Sequence, residues 1–280
     1  MQLKLFKTLW GYTGDAADAV RVAVAEGYDG IEAPVPETAA GRARLAALLS
    51  DAGLDYIAEI ATTGTYVPNR SLTLQDHLDD LVRRTAQLQG LRPLFITCLG
   101  GCDAWPLADS LAFFRQAIGI TGIAGIDISF ETHRGRSLFN PWITRQIVEL
   151  LPELRLTCDF SHWYVVCEGL QTSEQDIIRQ LVPRARHIHG RVGYDQGPQV
   201  PDPRSAVYAR ELEQHLQWWR WIWEQQRKDG CKWTCVTPEF GPDGYDYRDP
   251  STGATLIEPG ILNNWMASRL RDEYRKTVEI

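Results

Sequence analysis

Carboxylate and imidazole side chains recur at the ends of short β-rich segments in the second half of the chain. Glu131 stands in DISFETH, Asp159 in CDFSHW, His189 in HIHGR and Glu239 in CVTPEF. Charged side chains inside otherwise apolar segments are rarely buried unless they pair with an opposite charge or bind a metal ion. The pattern therefore indicates a metal site or a set of ion pairs with nearby arginines.

The direction of the side chains supports convergence of these groups. Alternate residues of a strand share one face, so His187 and His189 point the same way, as do Glu131 and His133. His189 lies nearer the end of its strand and is the better candidate ligand. We interpret His187 as a packed histidine or one that lies behind the site.

Strand-like and helical patterns alternate along the whole chain. The predicted strands are Leu3–Trp10, Gly30–Ala33, Tyr56–Ala61, Leu94–Leu99, Asp127–His133, Arg155–Phe160, Ala185–Arg191 and Trp233–Phe240. The predicted helices span residues 15–26, 37–52, 73–89, 106–119, 140–151, 172–182, 204–227 and 260–276. Strict alternation predicts an α/β protein, a closed (β/α)₈ TIM barrel that forms a single domain over residues 1–280. An open doubly wound sheet is the alternative, disfavoured because no glycine-rich phosphate loop follows the first strand.

Residue types at the predicted helix ends support these boundaries. Asp15, Thr73 and Thr172 are placed to accept hydrogen bonds from free backbone N–H groups as N-caps. Glycines follow the helical patterns where a left-handed C-cap favours them, at Gly27, Gly53 and Gly90.

In such a barrel, active sites form at the carboxyl ends of the strands. The first four strand ends carry Trp10, Glu32, Glu59 and Cys98. Two connections on the same face, Gly193–Arg204 and Gly241–Pro259, are longer than the fold requires. Each is either a lid or substrate wall, or a tolerated surface insertion.

Composition excludes several classes of protein. The chain has 280 residues, a net charge of −7 and an isoelectric point near 5.4, without the basic stripe of a nucleic-acid binder. No apolar run approaches the ~18–20 residues of a membrane span, and the first residues lack the apolar core of a signal peptide. We expect a cytoplasmic protein that binds neither nucleic acid nor membrane. Its six cysteines are then expected as free thiols, with no disulfide and no metal bound.

The motifs together resemble the xylose isomerase-like TIM barrels, the sugar-phosphate isomerase/epimerase superfamily that includes tagatose 3-epimerase-like enzymes. The matching pieces are EGYDGIEA at residues 26–33, SFETH, CDFSHW, HIHGR and TPEFG, and they cover essentially the whole chain. The resemblance implies that four residues ligate one divalent metal ion: Glu131, Asp159, His189 and Glu239. Such donors favour Mn²⁺, Mg²⁺ or Co²⁺, and Zn²⁺ also accepts them; we expect Mn²⁺.

The resemblance also implies a reaction and the roles of residues. In the related epimerases two ligand glutamates face each other across the sugar as base and acid, which here are Glu131 and Glu239. The residues predicted to contact the carbohydrate substrate are His162, beside the metal, and His133, Arg191, Glu32 and Trp10. The expected activity is sugar isomerisation or epimerisation by proton transfer next to a carbonyl, through a metal-bound enediolate.

Two other functions are kept as alternatives. A lyase or dehydratase acting on a keto-sugar or an inosose would use the same base and then eliminate a β-leaving group. A non-catalytic metal- or sugar-binding barrel is disfavoured because binding alone does not need the two opposed carboxylates Glu131 and Glu239. DNA-repair endonucleases of the same superfamily need additional histidines on the second and third strands, which the chain lacks.

The chain departs from the ketose 3-epimerases at two positions. Ser137 stands where they carry a second glutamate, six residues after the fifth-strand one, and Arg191 follows His189 by only two residues. The cationic pair Arg134 and Arg136 either binds a carboxylate or phosphate of the substrate, or serves as ordinary surface or ion-pairing arginines.

The segment HLQWWRWIWEQ, near residues 216–224, predicts a helix whose apolar arc of about 200° exceeds what one barrel contact buries. The excess predicts a second apolar partner, either another subunit in a homo-oligomer or a covering loop. The alternative is that flanking helices of the same chain cover it.

Overall fold

Eight parallel strands close into one barrel in the computed structural model, which describes residues 1–242 and 244–278. Each strand pairs with its neighbours in chain order, and β1 pairs with β8. The strands β1 to β8 span Gln2–Thr8, Gly30–Pro34, Asp55–Ala61, Ile96–Leu99, Ile128–Glu131, Leu156–Cys158, Ala185–His189 and Trp233–Thr237. The predicted (β/α)₈ barrel is confirmed, with most strands ending two or three residues earlier than predicted.

Helices surround the barrel. In the described part of the chain, α1 to α9 span Ala16–Ala25, Ala39–Ala52, Leu74–Ala86, Leu107–Ile123, Pro141–Leu150, Phe160–Val166, Thr172–Leu181, Ala209–Lys228 and Pro259–Val278. The short helix α6 was not predicted. It begins directly after β6, where the Asp159 carboxylate accepts a hydrogen bond from the Ser161 N–H at 3.0 Å. Its residues 160–164 are all buried, including Ser161 and His162. The helix therefore lacks the alternation of an apolar and a polar face by which a surface helix is predicted.

Two of the three predicted N-caps are confirmed. Asp15 accepts from the Asp18 N–H at 2.9 Å, and Thr73 caps α3 with Asp76 in a capping box. The assignment of Thr172 is wrong, because that residue is already helical and Gln171 precedes the helix.

Alternating residues of the strands fill the barrel interior in layers. Phe6, Ile57, Phe95 and Cys235 form a buried apolar cluster within it. Two residues further along β3 and β8, the same inward faces carry Glu59 and Thr237. The inward positions therefore change from apolar to polar toward the carboxyl ends of the strands, where the polar site lies.

The tryptophan-rich helix α8 is covered by its own chain. Trp218, Trp219, Ile222 and Trp223 are fully buried, and the Arg179 guanidinium lies 3.7 Å from the ring centre of Trp221. The apolar arc is thus covered within the chain, which agrees with the alternative that flanking elements cover it, and a homo-oligomer stays a prediction. No helix in the described ranges has the length and apolar character required to cross a bilayer.

The two long connections are joined to each other. Gln199, between β7 and α8, donates to the backbone oxygens of Gly241 and Tyr245 at 3.3 and 3.2 Å and accepts from the Gly241 N–H at 2.9 Å. The hydroxyls of Tyr194 and Tyr247 lie 2.7 Å apart. Residue 243 of the second connection lies outside the described residues. All six cysteines are free thiols, as predicted.

Candidate metal centre and cavity

The four predicted ligand residues meet at the carboxyl end of the barrel. Glu131 ends β5, Asp159 follows β6, His189 ends β7 and Glu239 follows β8, and each side chain is buried. One ligand atom from each of them lies within 4.8 Å of the others. His189 Nδ1 is 3.1 Å from Glu239 Oε2 and 3.7 Å from Glu131 Oε1.

The chemistry of this cluster fits a divalent cation. His189 Nδ1 is buried and has no hydrogen-bond partner in the described structure, although carboxylates surround it. Three buried carboxylates beside one imidazole form a strongly negative, oxygen-rich donor set, which suits Mn²⁺, Mg²⁺ or Co²⁺. Metal ligation by these residues remains a prediction that the geometry allows.

Glu32 lies behind His189 rather than in the cavity. Its Oε1 is 3.1 Å from His189 Nε2, its Oε2 is 3.0 Å from His187 Nε2, and the Thr237 hydroxyl donates to the same Oε2. Burial raises the pKa of Glu32, but the two histidines outweigh it and hold that pKa well below its usual range. The prediction that Glu32 contacts the substrate therefore finds no support, since its carboxylate is 1% exposed and fully bonded. His187 is a packed histidine, as interpreted from the sequence.

Arg191 is placed between the ligand cluster and the cavity. It donates to Asp159 Oδ2, lies 3.7 Å from Glu239 Oε2 and donates through Nε to Ser161 Oγ at 3.2 Å. Burial lowers the pKa of this guanidinium, but Asp159 and Glu239 outweigh it and raise the pKa above the usual value. Its Nη1 has no hydrogen-bond partner within the described chain, so the two N–H groups of this nitrogen remain free.

His133 and His162 lie against each other beside the cluster, with ring centres 3.8 Å apart and ring planes tilted by 48°. His162 Nε2 is 3.6 Å from Asp159 Oδ2 and 2.8 Å from Arg191 Nη2. Burial, with nearby cationic groups, lowers the pKa of both imidazoles well below its usual value, so both are neutral. His133 lines the cavity, whereas His162 is fully buried beneath it.

A cavity of about 330 Å³ opens above the cluster. Its lining includes the predicted residues Trp10, Glu131, His133, Arg191 and Glu239. Three aromatic rings meet at one side, from Trp10, Tyr66 and Tyr245. The ring centres of Trp10 and Tyr245 are 5.0 Å apart, and the Arg191 guanidinium lies 4.9 Å from the Tyr245 ring. The loop after β8 therefore forms a wall of the cavity.

Three cavity residues are absent from the predicted substrate contacts and metal ligands. Tyr66 and Tyr245 lie in loops, where no periodic pattern reveals the direction of a side chain. Glu59 is at a strand end and shares the inward face of Ile57 and Ala61, a signal that the sequence contains. Burial, with Glu239, Glu32 and Glu131 nearby, raises the pKa of Glu59 to about 8.

The two arginines that follow β5, Arg134 and Arg136, have different roles. Arg136 is fully buried and donates to the backbone oxygens of Thr62 at 2.7 Å, Gly101 at 3.3 Å and Tyr66 at 3.3 Å, and to that of Thr65. It is therefore a structural residue and not a substrate contact.

Arg134, in contrast, is half-buried and lies over the Tyr245 ring, 5.1 Å from its centre. Ser137 is buried against Ser110 and Cys102, away from the cavity.

No protein-family model matches the sequence, and no curated protein resembles it closely enough to count as a match. Solved structures do resemble the fold. A structure of L-ribulose 3-epimerase superposes with a TM-score of 0.66 at 14% identity, over 99% of this chain and 96% of that one. A xylose isomerase-like TIM barrel protein from Mycobacterium smegmatis, in complex with magnesium, gives 0.63 at 12% identity over 97% of both chains.

A third similar structure is the probable 3-DHS dehydratase AsbF from Bacillus anthracis, with a TM-score of 0.61 at 13% identity over 97% of this chain and 99% of that one. The shared feature of these proteins and this chain is the barrel along its whole length. The likeness to the xylose isomerase-like TIM barrels is thus confirmed at the level of the fold.

Proposed function

We propose that the protein is a divalent-metal-dependent isomerase or epimerase of a small carbohydrate, working by proton transfer next to a carbonyl. One observation supports the proposal most strongly. Glu131 and Glu239, both buried and both lining the cavity, flank Nδ1 of His189 at 3.7 and 3.1 Å.

The residues of the cluster divide into two roles. Glu131, Asp159, His189 and Glu239 would hold the ion, which when bound polarises a carbonyl and stabilises the charge left by a departing proton. Glu131 and Glu239 offer carboxylate oxygens to the cavity from β5 and from the segment after β8. One removes the proton from the carbon beside the carbonyl, and the other returns a proton to the opposite face.

Burial supports this assignment. Burial raises the pKa of Glu131, with His189 opposing and Glu239 and Asp159 adding to the shift. A carboxylate with a raised pKa is a stronger base than one in water. Arg191, with its free Nη1, and neutral His133 are placed to hold oxygen atoms of a bound sugar.

The similar solved structures favour this chemistry without defining the substrate. They include L-ribulose 3-epimerase and a probable 3-DHS dehydratase, so both epimerases and a dehydratase occur on the fold. The substrate class, the cytoplasmic location and Mn²⁺ as the natural ion are parts of the proposal.

The test is exchange with solvent deuterium. Protein stripped with a chelator and reloaded with Mn²⁺ would be incubated in D₂O with free ketoses and keto-glycosides. The expected result is deuterium on the carbon next to the carbonyl, an epimer of unchanged composition, and no exchange before reloading. A product lighter by water would reassign the protein as a dehydratase, and absence of exchange with every sugar would overturn the proposal.

A further inference from the structure

One charged residue of the cavity has no assigned role. Glu59 lies on β3, which is diametrically opposite β7 in the closed order of eight strands. The ligand residues and Arg191 come from the half of the barrel formed by β5 to β8. Glu59 therefore faces the cavity from the wall opposite the candidate metal centre.

The Glu59 carboxylate has no partner in residues 1–242 and 244–278. No hydrogen bond or ion pair reaches it, and the arginine that lines the same cavity, Arg84, pairs with Asp80 at 3.0 Å. The side chain is half-buried and opens toward the cavity.

The surroundings of Glu59 make a carboxylate without a partner destabilising to the fold. Pro34, Ala61 and Leu99 line the same side of the cavity and offer no side-chain hydrogen-bond donor. The nearby charged groups include Glu239, Glu32 and Glu131, which repel it. A buried polar group that lacks a partner destabilises the fold. A ligand that supplies hydrogen-bond donors to Glu59 would remove this cost.

We propose that Glu59 is a specificity-determining residue that accepts hydrogen bonds from hydroxyl groups of the bound sugar, on the side of the cavity formed by β3. This inference rests on the proposed function, because it takes the polyol of that same site as the ligand. A carboxylate suits this role since its two oxygens can accept from neighbouring hydroxyls at once. The apolar surfaces of Pro34 and Leu99 then pack against the C–H groups of the chain.

The test compares a long and a short ligand on Mn²⁺-loaded protein by NMR titration. Sorbitol offers six hydroxyl groups along a chain of six carbons, whereas dihydroxyacetone has only three carbons and two hydroxyl groups. Replacing the acceptor in Glu59→Leu is expected to weaken the binding of sorbitol about 10-fold, as for the loss of a hydrogen-bonding partner in a buried site, and to leave the binding of dihydroxyacetone unchanged. Glu59→Gln, which keeps one acceptor oxygen, is expected to fall between. Glu37→Gln removes the same charge at an exposed position and serves as the control.

A second measurement does not depend on any ligand. Removal of a half-buried carboxyl group that lacks a partner is expected to raise the melting temperature of the metal-free protein in both Glu59→Leu and Glu59→Gln. A structural carboxylate would give the opposite sign. Lower melting temperatures in both variants would overturn the proposal, as would equal losses for the two ligands or failure of sorbitol to bind the wild-type protein.

These outcomes are separate from those of the exchange experiment. Binding of sorbitol that depends on Glu59 would support the inference even if no sugar exchanged deuterium. If Glu59→Leu exchanged deuterium into every ketose with unchanged kcat and KM, the inference about Glu59 would be overturned. The proposed function would remain intact.

Discussion

The Glu32 carboxylate accepts from His189 Nε2 at 3.1 Å and thereby determines which imidazole nitrogen faces the three other carboxylates. With Nε2 bonded to Glu32, Nδ1 is the nitrogen that points at Glu131 and Glu239 and that a metal ion would bind. A carboxylate behind a histidine ligand fixes its tautomer and orientation and raises its basicity. Glu32, in the EGYDGIEA motif, therefore orients a candidate metal ligand, His189, and is not itself a ligand.

Replacement of Glu32 should weaken metal binding. In Glu32→Gln, His189 loses the charged acceptor that orients it, so the affinity for Mn²⁺ is expected to fall about 10- to 100-fold. Calorimetric titration of chelator-treated protein measures this directly. Glu37→Gln, with the same charge change at an exposed site, should bind Mn²⁺ as the wild type does. Equal affinities in Glu32→Gln and wild type would show that Glu32 does not position a ligand.

The two cavity glutamates should be needed for turnover. Glu131→Gln and Glu239→Gln each keep an oxygen near the cluster but remove the base, so turnover should fall by about 10²- to 10⁴-fold. Mn²⁺ should still bind, with lower affinity, and single-turnover exchange in D₂O separates the loss of proton transfer from the loss of metal. A metal-loaded variant with near-normal exchange would leave that glutamate as a ligand only.

Removal of Arg191 should destabilise the metal-free protein. Its guanidinium pairs with the fully buried Asp159, and loss of one partner of a buried pair leaves an uncompensated charge. We expect Arg191→Met to lower the free energy of unfolding by about 3–5 kcal/mol in the presence of a chelator. Added Mn²⁺ should restore more stability to the variant than to the wild type, because the ion replaces the missing cation. Denaturant titrations with and without Mn²⁺ measure both effects, and an unchanged free energy of unfolding with chelator would contradict the prediction.

Stability should decrease in mild acid because of His215. Burial lowers the pKa of this imidazole to about 4, while Nδ1 donates to the Glu211 carbonyl at 2.8 Å and Nε2 accepts from the Gly193 N–H at 3.3 Å. The unfolded chain binds a proton near pH 6.5 and the folded chain does not, so the contribution to stability is lost as the pH falls from 6.5 toward 4. Near pH 5 the loss from His215 is about 2 kcal/mol. In His215→Gln the denaturation midpoint should depend less on pH over this window, and an unchanged pH dependence would exclude His215 as its cause.

Most of what was predicted correctly about the candidate site follows from the alternation of side chains along the strands. Because alternate residues share a face, placing Glu131, His189 and Glu239 at strand ends was enough to predict their convergence in a barrel. Contacts between residues that are far apart in the sequence cannot be predicted from this pattern. The sequence places Glu32 at a strand end but gives no sign that the two histidines of β7 lie against its carboxylate.

Two alternatives that the sequence leaves open have the same physical origin. The arc of tryptophans on α8 correctly indicated a wide apolar face, but sequence cannot show that the same chain covers it. Arg136 and Arg134 are two residues apart and chemically identical, yet one holds four backbone oxygens and the other lies on an aromatic ring at the cavity. Only the fold separates these roles.

The buried Arg136 also constrains how the cavity can evolve. Its guanidinium joins the loop after β3, which carries Tyr66, to Gly101 after β4, and Arg136 itself is three residues from His133. An insertion or deletion in any one of these loops would break bonds to the other two, and lysine, with one nitrogen, cannot replace the fork. New substrate ranges are therefore expected to arise by point substitution on that side of the barrel, and by changes of length only in the connections after β7 and β8.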